Sequence, residues 1–95
     1  MGKKEKVVES SGDVFADLGF SAEEAAILRM RAELMAGLRS TIEAQGWTQG
    51  EAAQKLGVAQ SRVSDLVRGK WEKFSLDMLV TLATRAGIKV ELAMA

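Results

Sequence analysis

The chain has 95 residues, 47% of them apolar, 27% charged and 5% aromatic, and its 13 basic groups balance 13 acidic ones. That length supports one domain, and the lack of cysteine, histidine, proline and tyrosine removes disulfides, thiol nucleophiles, zinc and haem ligands and the usual general base. No apolar run approaches the roughly 18 residues of a membrane span, so the sequence reads as a soluble cytoplasmic protein with no cofactor and no membrane partner.

Residues 1–12 are rich in Lys, Glu, Ser and Gly, with only Val7 and Val8 to bury, and are expected to form a flexible tail ahead of a single domain over 13–95. No long apolar stretch follows the charged start, as a secretion signal requires. Residues 14–20 lack a clean helical period, and Phe15, Leu18 and Phe20 are expected to dock on a helix. Ser21-Ala22-Glu23-Glu24 then fits a capping box, in which a hydroxyl satisfies an orphan amide and a glutamate reaches back to the cap. A long helical pattern follows, with Ile27, Met30, Leu34, Leu38 and Ile42 at steps of three or four. Gly46 closes it. About 24 residues span roughly 36 Å, more than a five-helix domain of this size needs, so the first half is expected to project towards a partner.

Thr48-Gln49-Gly50-Glu51 is a second capping box, opening a helix through Leu56 that Gly57 ends. A short helix over 60–68 turns Val63, Leu66 and Val67 inwards. Ser75 caps a fourth over 76–86, with Leu76, Leu79, Val80, Leu82 and Ala83 apolar. The period then changes: Ile88, Val90, Leu92 and Met94 alternate with Lys89, Glu91 and Ala93, which reads as a strand. One strand in a helical chain lacks a partner, and unpaired edges invite another chain. The expectation is a homodimer through 88–94; the alternative is a tail laid on the helices, unpaired or pairing with 14–18.

Charge is unevenly spread. Residues 1–36 hold five basic and seven acidic groups, whereas 60–74 hold Arg62, Arg68, Lys70 and Lys73 against Asp65 and Glu72. Local field rather than net charge governs electrostatic binding, although solvated surface charge gives the same small surplus. The informative stretch is TQGEAAQKLGVAQSRVSDLVRG, residues 48–69. Its residues match the demands of two short helices joined by a tight turn. Ala53 allows a close crossing, Gly57 supplies a positive φ, and Val58, Val63 and Leu66 fill the wedge. Gln60, Ser61, Ser64, Asp65 and Arg68 are left to face outwards.

In this register the chain resembles the phage-repressor and Cro-like helix-turn-helix family, often called the Xre family. The resemblance covers roughly residues 38–87. It rests on Thr48 and Gln49, on the Ala53–Gly57 spacing, on Val63 and Leu66, on Arg68-Gly69 and on Phe74-Ser75-Leu76. More narrowly, residues 14–20, the long leading helix and the terminal alternating segment look like small HigA-type antitoxins. The resemblance implies an all-α, five-helix lambda-repressor-like domain, here with a C-terminal β-strand, that regulates transcription and is not an enzyme. Ala59, where the second helix is often capped by Ser or Thr, departs from the pattern.

Carried over residue by residue, the second helix of such a motif lies in the major groove with its first residues at base edges. Gln60, Ser61 and Ser64 become base readers, since glutamine pairs bidentately with adenine and hydroxyls adapt to several edges. Arg62 and Asp65 are further candidates, the latter either accepting from a cytosine amine or lying outside the groove. Thr48 and Gln49, at a helix N-terminus, favour a phosphate, and Arg68, Lys70 and Lys73 neutralise flanking ones. Without the motif, the same residues read as helix caps and plain polar surface. Trp47 stands at a hydrophobic-staple position and is expected in the core; Trp71 either stacks on sugar–phosphate or covers a dimer contact. The implied partners are double-stranded DNA bearing an inverted-repeat operator, a second copy of the chain, and a small basic RNA-cleaving toxin met by residues 1–36.

Overall fold

Ser21 and Thr48 start their helices as the sequence predicts. In the computed structural model, which describes residues 14–94, each hydroxyl accepts the backbone N–H three residues on and each Glu at that position reaches back to the cap amide. The expected tail, 1–12, lies outside the described residues. Ser21 opens α2 (Ala22–Gln45), which runs 24 residues to Gly46. Thr48 opens α3 (Gln49–Leu56), and α4 (Gln60–Val67) follows without a side-chain cap, as Ala59 dictates. Ser75 accepts from Met78 N–H to start α5 (Leu76–Arg85). A single turn, α1 (Val14–Asp17), precedes these helices, and a 3₁₀ turn, Trp71–Lys73, links α4 to α5.

Glu24 carries a consequence for pH. Hydrogen bonds from Ser21, the backbone N–H first and the hydroxyl second, hold its carboxyl below the ordinary glutamate value. A group more acidic when folded contributes its capping fully above the ordinary carboxylate range, and that contribution is lost as pH falls through the folded value. In an NMR titration Glu24 is expected to show a midpoint below that of a free glutamate. Ser21→Ala should return it to the ordinary range; an unchanged midpoint would contradict the capping box.

The core lies where the second half of α2 meets α3, α4 and α5. Met35, Leu38 and Ile42 from α2 pack with Ala52, Ala53 and Leu56, with Val63 and Leu66, and with Leu79, Leu82 and Ala83. Phe74, between the 3₁₀ turn and Ser75, joins them. Burying each Leu or Phe contributes about 1.5–3 kcal/mol. Trp47 packs against the edge of this core with Lys55 over its ring, as its staple position predicts.

Four expectations need correction. The fold has four helices of eight residues or more plus the single turn α1, not five full helices, because residues 14–20 are too short and too irregular to extend α1. No strand occurs among the described residues: 88–94 finds no ladder partner, and residues 14–18, the one intrachain candidate, are helical. The first half of α2 does not stand free. Ala25 and Leu28 are buried, and α1 packs alongside it while Phe15 and Phe20 set their rings edge-to-face on Trp71. Leu18, expected to dock, is 70% exposed, as it falls in the turn after α1.

Candidate nucleic-acid interface

Gly57-Val58-Ala59 joins α3 to α4. Gly57 has φ +69°, and a Cβ there would stand 3.1 Å from Arg85 Nη1, so glycine is demanded by backbone sign and by space. Arg85 itself donates from Nη1 to Leu56 O at 2.8 Å. It thereby satisfies a carbonyl left open at the end of α3 and places a cation at that helix's negative pole. Val58 N–H donates to Ala53 O, and the Val58 side chain packs on the core. These contacts fix how α4 leaves α3.

That geometry presents the front of α4 to solvent. Gln60 and Ser61 are exposed; Ser64 and Asp65 are half-buried one turn on. The start of α3 lies beside them. Gln60 Oε1 and Thr48 Oγ1 each come to 3.9 Å from where a Cβ on Gly50 would stand, so Gly50 lets the heads of the two helices share one surface. Thr48 and Gln49 are exposed there. On the other flank, Lys70 N–H donates to Asp65 O and Gly69 N–H to Leu66 O, folding the chain back at the end of α4. Arg68, Lys70 and Lys73 are exposed along this return. The candidate base-reading and phosphate residues, 58 percent of them polar but uncharged or not, need no rearrangement to lie on one side of the chain.

 The percentage in the preceding sentence is an error and is withdrawn, as is its claim about a single side. What stands is that the heads of α3 and α4 are adjacent and that Thr48, Gln49, Gln60 and Ser61 are exposed there.

Arg62 is placed differently from the other candidates. Its Nη1 donates to Lys73 O at 3.2 Å and its guanidinium lies 5.6 Å from the centre of the Phe74 ring. The side chain therefore ties α4 to the 3₁₀ turn. Trp71 is taken up by the aromatic cluster with Phe15 and Phe20. Two residues that the sequence reading missed belong to this region. Arg39 of α2 brings Nη1 to 3.6 Å from where a Cβ on Gly69 would stand, adding positive charge beside the basic return. Arg85 braces the turn from 29 residues away. Neither has a local sequence signal, since both act through tertiary contact.

Comparison with known proteins agrees with this geometry. The helix-turn-helix domain family matches residues 14–95. A solved structure named as an XRE family transcriptional regulator is 30% identical, with a TM-score of 0.71 over 76% of this chain and 81% of its own. A search among curated proteins gives no match. Family match, fold and the turn at Gly57 together place the chain: it belongs to the Xre-like helix-turn-helix family of DNA-binding transcription regulators.

Proposed function

We propose that the protein binds an inverted-repeat operator as a two-fold dimer and represses its own transcription. The observation that carries this reading is the exposed head of α4, Gln60 and Ser61, beside the exposed start of α3. Gln60, Ser61 and Ser64 read base edges in the major groove, with Asp65 at the margin. Thr48 and Gln49 bind a phosphate at the positive end of α3, and Arg68, Lys70 and Lys73 neutralise others. Arg62 acts by holding the basic return against α4. A single module reads few base pairs, and two copies reading half-sites about 34–36 Å apart extend the site.

Fluorescence anisotropy tests this on a duplex from the protein's own upstream region and on a scrambled duplex. Tight binding to the native duplex alone is expected. About six phosphate contacts would cost roughly 10³-fold in affinity between 50 and 200 mM salt. Equal, weak binding to both duplexes would overturn the specific-repressor reading. A second reading, an antitoxin that holds a basic toxin, is favoured by the exposed apolar side chains of Leu18 and Ile27, which lie outside the helix-turn-helix.

A further inference from the structure

The segment after α5 carries apolar side chains that the chain itself does not cover. Ile88 is half-buried and its N–H still donates to Ala83 O, but Leu92 is 82% and Met94 85% exposed. Lys89 Nζ lies 3.3 Å from Glu91 Oε2. Side chains two apart meet when they project from the same side of an extended backbone. Ile88, Val90 and Leu92 also line an open groove of about 660 Å³ with Met30 and Leu34 of α2 and Leu76 and Val80 of α5. An extended, unpaired segment bordering an apolar groove is a template for another strand.

We propose that residues 88–92 pair antiparallel with the same segment of a second copy, about a two-fold axis through Val90. This rests on the dimer reading above and names its surface and register. Directly opposed residues in an antiparallel pair share a face. A two-fold axis between residues would therefore oppose apolar to charged positions, so the axis passes through a residue. Through Lys89 or Glu91 it would set like charges face to face. Through Val90 it opposes Lys89 to the partner's Glu91, and Ile88 to the partner's Leu92. Two strands alone are marginal in water; Met30, Leu34, Leu76 and Val80 supply the further apolar surface.

Sedimentation equilibrium of the full chain without DNA tests the register. The unaltered protein is expected to dimerise. Lys89→Glu and Glu91→Lys should each weaken dimerisation on the order of tenfold, because two opposite-charge pairs become like-charge pairs. Lys89→Glu/Glu91→Lys together should restore it, and a mixture of the two single variants should favour the heterodimer. A dimer indifferent to these charges, with statistical mixing, would overturn the register and leave the dimer reading intact. A monomer at every concentration would overturn both.

Discussion

Gln60→Ala/Ser64→Ala is expected to abolish the preference for the native duplex while leaving the fold intact. A bidentate glutamine–adenine contact is worth about 1–3 kcal/mol of discrimination. With one such contact in each of two half-sites, the loss should reach roughly 10²-fold. Alanine is a good helix former, and neither side chain belongs to the buried core. Circular dichroism and urea midpoints should therefore match the unaltered protein. Anisotropy on the two duplexes reads the effect. An equal loss on the scrambled duplex would show that these side chains do not read sequence.

Phe74→Ala is expected to be the most damaging single truncation outside the helices. The ring is 2% exposed and packs in the core with α2 and α5. Removing a buried aromatic costs about 3–5 kcal/mol, a large share of the roughly 5–15 kcal/mol that holds a domain together. Arg62 would also lose the ring beneath its guanidinium. Urea denaturation should show the loss in the midpoint, and Phe74→Leu should cost less because it keeps more of the volume. A loss below about 1 kcal/mol would be inconsistent with the packing described here.

What was legible in the sequence is what local rules control. Ser21, Thr48 and Ser75 cap their helices, Gly46 and Gly57 end theirs with positive φ, and the apolar spacing of α2 places Met35's neighbours Leu38 and Ile42 in the core. The four long helices end within a residue of expectation. The failures all involve tertiary partners. Alternation at 88–94 signals an extended preference but cannot supply a ladder. Arg62 carries a charge that suits DNA, yet Lys73 O and Phe74 claim it. Phe15 and Phe20 meet Trp71, more than 50 residues later in the chain, and no spacing rule links them.

The brace from Arg85 to Leu56 O makes the two-helix motif dependent on sequence far outside it. Residues 48–69 contain the helices and the turn, but not the donor for that carbonyl or the Phe74 ring under Arg62. The motif is thus not a portable cassette. Transplanting it into another scaffold, or recombining it between relatives, must carry the end of α5 and the basic return with it.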